Sequence, residues 1–319
     1  MKKQSKTLLS IVVVGLLFLG ACGKKATTGT VESTKASAEV SQTIKVTDSQ
    51  GEVEVPLNPQ KVVVFDMGSL DTIKALGKGD TVIGAPTKNL PNYLAEFKDV
   101  EAAGGIKEPD LEKINQLKPD LIIISGRQED FKADLEAIAP TIYLAVDSAD
   151  TWNSTKTNIT TLGNIFEEAD LAEEKIASID KQITTVKEKA EKSGLKTLVT
   201  LVNEGQLSAY GEGSRFGIIH DTFGFSQADD KIEASTHGQS VSYEYVLEQD
   251  PEVIFVIDRT KAIGGDDENN NVASNELVAQ TKAGKNGKVI ALTPDVWYLS
   301  GGGIECTELM LADVEKALN

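Results

Sequence analysis

The chain has 319 residues, 40% hydrophobic and 25% charged, which is globular composition and excludes a disordered or fibrous protein. Its formal net charge of −17 disfavours nucleic acid and anionic membrane surfaces as partners. With Cys22 and Cys306 as the only cysteines, the body of the chain has no pair for a disulfide or a thiolate metal site once Cys22 is modified. The length predicts about two domains.

The chain opens on a targeting segment. Lys2, Lys3 and Lys6 form a basic start, and Leu8 to Leu19 is an apolar core too short for a typical membrane span. Leu19-Gly20-Ala21-Cys22 then resembles the lipobox of bacterial lipoproteins; an ordinary signal peptide with a chance Cys is the other reading. The resemblance implies a signal peptide over 1–21 and an acyl (palmitate-type) anchor on Cys22. The protein is then expected at the cell membrane, on its extracytoplasmic face. Residues 22–42, rich in Lys, Thr and Ser, predict a flexible tether.

Thr43 to Val55 alternates apolar and polar residues around Asp48-Ser49-Gln50-Gly51, which predicts a β-hairpin. Lys61 to Phe65 is a continuous apolar run of the kind buried in a parallel strand. Further strands are predicted at Val82 to Gly84, Leu121 to Ile124 and Thr141 to Val146, with helices at Ser69 to Leu76, Pro109 to Leu117 and Phe131 to Ile138. Alternating strands and helices predict a parallel sheet covered on both faces. After a helix over Thr151 to Phe166 the pattern resumes. Strands are predicted at Lys196 to Val202, Gln206 to Tyr210, Val253 to Ile257 and Val289 to Leu292, and helices at Arg215 to Phe223, Asn275 to Thr281 and Gly303 to Leu318. Cys306 is expected buried in the last helix, and His220 is expected to be structural. Asp266-Asp267-Glu268 with Asn269, Asn270 and Asn271 does not have EF-hand spacing and predicts a solvated loop.

Between these halves, Ala172, Ile176, Ile179, Ile183, Val186 and Ala190 recur at steps of four and three. That spacing predicts one helix over Leu171 to Lys192, capped by Asp170 and stopped at Gly194. At about 1.5 Å per residue it spans roughly 33 Å. It reads as a strut, with a short coiled-coil seam as the alternative, and as the only major crossing between the halves. The halves echo each other. Glu112 stands seven residues before Pro119 and the strand from Leu121, and Glu244 seven residues before Pro251 and the strand from Val253. The expected fold is therefore α/β, two similar lobes with mostly parallel sheets joined by one long helix. The lobes are placed at 43–165 and 195–319, with the helix region at 166–194.

Several residues stand where ligands bind. Arg127 and Arg259 follow strands, and open α/β sheets bind ligands at the carboxyl ends of strands. Arg215 lies in Gly213-Ser214-Arg215, at a glycine-rich turn expected to open a helix. They are the only arginines in the chain, and a surface ion pair is the competing role for each. Tyr298 follows the strand Val289 to Leu292, and His237 lies in a polar loop.

Lipobox, tether, hairpin, lobe, long helix and lobe together resemble the helical-backbone (class III) substrate-binding lipoproteins of ABC importers. Ser235-Thr236-His237-Gly238-Gln239-Ser240, Val256-Ile257-Asp258-Arg259 and Pro294-Asp295-Val296-Trp297-Tyr298-Leu299 resemble the branch that binds ferric catecholate siderophores of petrobactin and enterobactin type. The resemblance implies a ferric siderophore held between the lobes by Arg127, Arg215 and Arg259, with Tyr298 and His237 completing the coordination of Fe(III). Trp297 is expected to pack or to wall the pocket. Glu112 and Glu244 are implied to dock on the permease subunits, solvation of a helix surface being their ordinary alternative. No intrinsic cofactor and no catalytic activity are implied; neither Gly-x-Ser-x-Gly nor His-Glu-x-x-His occurs. The expected state is a monomer that meets the membrane through its anchor alone. Haem or cobalamin in the same fold is the alternative ligand. A zinc or manganese receptor is disfavoured by a total of two His.

Overall fold

The computed structural model describes residues 42–265 and 270–319. The signal segment, Cys22, the tether as far as Ser41, and Asp266 to Asn269 of the acidic loop lie outside the described residues.

Strands β1 (Thr43–Asp48) and β2 (Gly51–Pro56) pair antiparallel, and Asp48 Oδ1 accepts from Gln50 N and Gly51 N to shape the expected turn. The first lobe contains β3 (Val62–Val64), α1 (Met67–Ala75), β4 (Val82–Ala85), β5 (Glu101–Ala102), α2 (Leu111–Leu117), β6 (Leu121–Ile124), α3 (Lys132–Glu136) and β7 (Thr141–Tyr143). Its sheet runs β5-β4-β3-β6-β7 and is parallel throughout. The central strands have no polar face because both faces are covered: Val62 to Val64 and Leu121 to Ile124 are all buried.

Helix α4 (Thr151–Ile165) turns sharply into α5 (Ala169–Ser193), the predicted strut. Ala172, Ile179, Ile183, Val186 and Ala190 are buried along one stripe, with Ile176 packed at its margin. Gly194 ends it in the left-handed conformation at φ 61°. The start differs from the expected Asp170 cap. Asp170 lies inside the first turn, and Glu168 holds the cap position without a side-chain hydrogen bond. The reason is the short link to α4: Glu168 N donates to Gly163 O, so the chain enters α5 already anchored.

The second lobe contains β8 (Lys196–Asn203), β9 (Gln206–Tyr210), α6 (Ile218–Asp221), β10 (Ser226–Gln227), β11 (Gln239–Val241), α7 (Tyr243–Gln249), β12 (Val253–Asp258), α8 (Arg259–Ala262), α9 (Lys282–Lys285), β13 (Val289–Ala291) and α10 (Ile304–Glu315). The order is β11-β9-β8-β12-β13, with β10 beside the start of β8. Strands β8, β10, β12 and β13 are parallel, and β9 and β11 are antiparallel additions. Two predicted helices are shorter than expected. Arg215 to Phe223 is helical only over α6, because Gly213 (φ 67°) and a turn in which Gly217 N donates to Ser214 O occupy its start. Asn275 to Thr281 is a non-α segment with a single turn at Val278–Gln280, and the α-helix begins after it. Asn270, expected in a solvated loop, is 5% exposed.

The strut is not the only major crossing. After β13 the chain returns, and α10 packs on α1 and α5. Buried Asp71 of α1 accepts from Glu305 N (3.1 Å) and Cys306 N (2.8 Å), the first turn of α10, and Lys74 pairs with Glu305 at 2.8 Å. An apolar sequence pattern says which face of α10 is buried, not which lobe receives it. One apolar core therefore runs through both lobes, from Val64 and Leu70 through Ile179 and Val186 to Phe255 and Leu311. Smaller cores lie on the outer face of each sheet.

Candidate functional site

The two echoed segments are structurally equivalent. Helices α2 and α7 have seven residues each, are capped by Asp110 and Ser242, and end at left-handed Lys118 and Asp250. After the proline, Asp120 Oδ2 accepts from Gln60 N and Lys61 N at 3.0 Å, and Glu252 Oε2 accepts from Lys196 N at 3.0 Å. In each lobe that carboxylate ties the strand to its central neighbour. Glu112 and Glu244 occupy the same second position of their helices, both exposed.

A cavity of about 520 Å³ lies between the lobes, beyond the carboxyl ends of β3, β6 and β7. Asp66, Ser125, Arg127 and Tyr143 line it from the first lobe, and Arg215, Phe216 and His237 from the second. Tyr298 and Trp297 enter on the returning segment, where Val296–Ser300 forms a π-helical turn. A second cavity of about 540 Å³ beside β12 and β13 is as large but has no arginine or aromatic residue. Chemistry rather than size singles out the cavity between the lobes.

The three arginines converge on Tyr298. Arg127 Nη2 and Arg215 Nη2 both donate to its backbone carbonyl, at 2.9 and 2.7 Å, and Arg127 Nη1 also reaches Leu299 O at 2.9 Å. Arg259 Nε donates to the Tyr298 hydroxyl at 2.8 Å. The Arg215 guanidinium lies 4.5 Å from the Tyr298 ring centroid and 5.1 Å from that of Phe216, a cation–π stack. Arg127 and Arg215 form part of the cavity wall, while Arg259 joins through Tyr298.

Burial and the gathered charge alter the titration of Arg127, Asp66 and Tyr298. Burial and then the charge of Arg215 lower the Arg127 pKa, partly offset by Asp66. Burial raises Asp66 even though Ser69, Ser125 and Arg127 oppose it. For Tyr298, burial acts to raise the pKa, but the Arg259 hydrogen bond and the charges of Arg259 and Arg215 outweigh it, and the net shift is downward. The site thus favours negative charge at the phenol oxygen and in the space before the guanidinium groups.

His237 is exposed on the cavity rim, its loop held where Tyr210 Oη donates to His237 O at 2.9 Å. Trp297 is 1% exposed and spends its indole N–H on Asp313 Oδ2 at 2.9 Å, so it anchors the π-turn more than it offers surface. His220 is 7% exposed, with Nδ1 2.9 Å from Phe225 O. Sequence reasoning missed Asp66 and Lys107 on the cavity wall and Asn203 behind Arg259. Asp66 and Asn203, at or just beyond the ends of central strands, carried the same positional signal as the arginines.

The chain belongs to the periplasmic binding protein family, whose model matches residues 62–296. It is 46% identical over 313 residues to the petrobactin-binding protein YclQ of Bacillus subtilis, covering 98% of each chain. It is 30% identical over 319 residues to the ferric-anguibactin-binding protein FatB of Vibrio anguillarum, covering 97% of this chain and 96% of that one. Among solved structures, the iron uptake ABC transporter substrate-binding protein PiuA of Streptococcus pneumoniae superimposes with a TM-score of 0.84 at 46% identity, over 87% of this chain and 99% of that one. The two-lobed α/β architecture is that of the family's class III members.

Proposed function

We propose that this chain is an extracytoplasmic receptor that captures a ferric siderophore of catecholate type and delivers it to an ABC importer. The observation that carries the reading is the convergence of Arg127, Arg215 and Arg259 on Tyr298 between the lobes. A ferric tris-catecholate is a compact trianion of aromatic rings, and arginine meets both features through charge, planar donors and stacking. The names of the two curated relatives, one a petrobactin binder and one a ferric-anguibactin binder, support the same ligand class over haem or cobalamin.

In this reading the trianion replaces the Tyr298 carbonyl as acceptor for Arg127 and Arg215. Where the siderophore leaves two sites of its iron to water, Tyr298 loses its phenol proton to solvent and displaces one water from the metal, and an imidazole nitrogen of His237 displaces the second. Iron is cargo here, and the protein catalyses no reaction. Cys22 carries the lipid anchor, and the monomer docks on the permease subunits through Glu112 and Glu244, one per lobe. The core shared by both lobes limits closure on binding to a small movement.

Fluorescence titration tests the ligand class, since Trp297 adjoins Tyr298 in the cavity wall. Ferric catecholates are expected to quench saturably, and haem and cobalamin are not. Tight haem binding with no response to any ferric catecholate would overturn the proposal.

A further inference from the structure

Asn203 is the last residue of β8, and its Oδ1 accepts from Arg259 Nη1 at 2.6 Å. Arg259 Nε is engaged by Tyr298. Two of the three nitrogens are thereby fixed, and Nη2 has no protein acceptor among the described residues. A guanidinium is planar, so fixing two nitrogens fixes the direction of the third.

The backbone behind Asn203 is built to hold this arrangement. Asn203 opens a two-residue turn in which Glu204 (φ 50°) and Gly205 (φ 79°) are both left-handed. Glu204 has a Cβ and meets a cost there that glycine does not. Bonds from the Arg259 segment hold the turn. Glu204 N donates to Thr260 Oγ1 at 3.1 Å, and Gly205 N donates to Asn270 Oδ1 at 2.9 Å. Asn270 Nδ2 in turn donates to Asp258 Oδ1 at 2.8 Å, and the same oxygen caps α8 through Lys261 N. The residues before and after Arg259 thus tie its backbone to the turn that presents Asn203.

We propose that Asn203 is a positioning residue that holds Arg259 so that its free Nη2 meets an anionic oxygen of the ligand. Asn203 does not itself touch the ligand. It removes rotamer freedom that the long arginine side chain would otherwise lose on binding. The inference rests on the reading of Arg259 as a ligand-binding residue.

Two measurements test it, one of them without ligand. The chain has three arginines, so labelling with ¹⁵N-arginine gives at most three Nε–H signals, and Arg259→Gln assigns one by its loss. In Asn203→Leu the Arg259 signal is expected to move and to exchange with solvent at least about tenfold faster, while the other two stay. Asn203→Ala serves if the Leu variant does not fold. An unchanged Arg259 signal in a folded variant overturns the proposal. The second measurement is a double-mutant cycle with a synthetic hexadentate ferric tris-catecholate. Asn203→Leu is expected to weaken binding about tenfold in the native background and not at all in Arg259→Gln. Equal loss in both backgrounds would make Asn203 merely structural. If the native protein binds no ferric catecholate, the proposed function falls, and the NMR result still decides whether Asn203 holds Arg259.

Discussion

The two connections between the lobes are built on opposite principles. Helix α5 is regular, buries a stripe at helical spacing, ends on a left-handed glycine and places no residue in the cavity between the lobes. The return from Leu292 to Gly303 contains a π-helical turn and two left-handed glycines, Gly301 (φ 79°) and Gly303 (φ 108°), yet it carries Tyr298. Its shape comes from bonds to the first lobe. Asn92 N donates to Asp295, Tyr93 Oη donates to Ser300 Oγ, Arg127 donates to two of its carbonyls, and Asp71 holds the start of α10. Local sequence is enough to specify the strut, whereas the return takes its form from distant partners. Irregular turns of this kind recur where a side chain must be aimed.

That contrast predicts that damage to the return costs stability and affinity together, while damage to the strut costs stability alone. The largest loss of stability from a single substitution is expected from Gly303→Ala. The added Cβ would collide with the Asp71 carboxyl and with Gly68 O, at a φ that L residues avoid. A loss of about 3–4 kcal/mol in urea unfolding and a clear drop in siderophore affinity are expected. Ile179→Ala empties a fully buried site on the strut and should cost about 3 kcal/mol, with affinity per folded molecule unchanged. Equal effects on affinity from these two variants would erase the distinction.

Tyr298→Phe sharpens it at the site. Calorimetry should show about a hundredfold weaker binding of a tetradentate ferric catecholate, roughly 2.7 kcal/mol, and at most about a tenfold loss for a hexadentate one, from the freed Arg259 Nε. Equal loss for both would remove Tyr298 from the iron.

The most gradual expected effect is a pH dependence. Burial pushes Asp71 up to about 7, against the two N–H bonds from α10; the charge of Glu305 adds to the rise and that of Lys74 opposes it. Part-buried Tyr93 and buried Cys306 also face it and are themselves raised. A carboxyl that holds its proton more tightly when folded gives stability that is full below the ordinary carboxylate pKa and is lost as pH rises towards 7. Its contribution should fall by at most about 1.4 kcal/mol per pH unit across that window, and Asp71→Asn should flatten the slope. An unchanged slope in Asp71→Asn would show that Asp71 ionises normally in the fold.

The same contrast explains what could be read without coordinates. The α5 stripe, the buried runs of β3, β6 and β12, and the echo around Glu112 and Glu244 are local patterns, and the fold repeats them. The strand-end positions of Arg127 and Arg259 were legible because the carboxyl edge of a parallel sheet is a general ligand site. Three things were not legible. The buried face of α10 (Ile304, Cys306, Met310, Leu311 and Val314) does not name the lobe that receives it. The turn around Gly213 stops the helix expected from Arg215. Asn203 stands at a strand end like the arginines, but its bond to Arg259, far along the chain, has no local signature. The first and third depend on partners distant in sequence and the second on a local glycine turn, and no periodicity encodes any of them.

In the proposed function, three arginines gathered on Tyr298 form the trap for a trianionic ligand. The affinity of a hexadentate ferric tris-catecholate should therefore be compared between the native chain and the triple variant Arg127→Gln, Arg215→Gln, Arg259→Gln, with folding checked by circular dichroism. Three charge-assisted contacts predict a loss of at least about a thousandfold in the folded variant. Affinity within about threefold of native would show that the arginines do not hold the ligand.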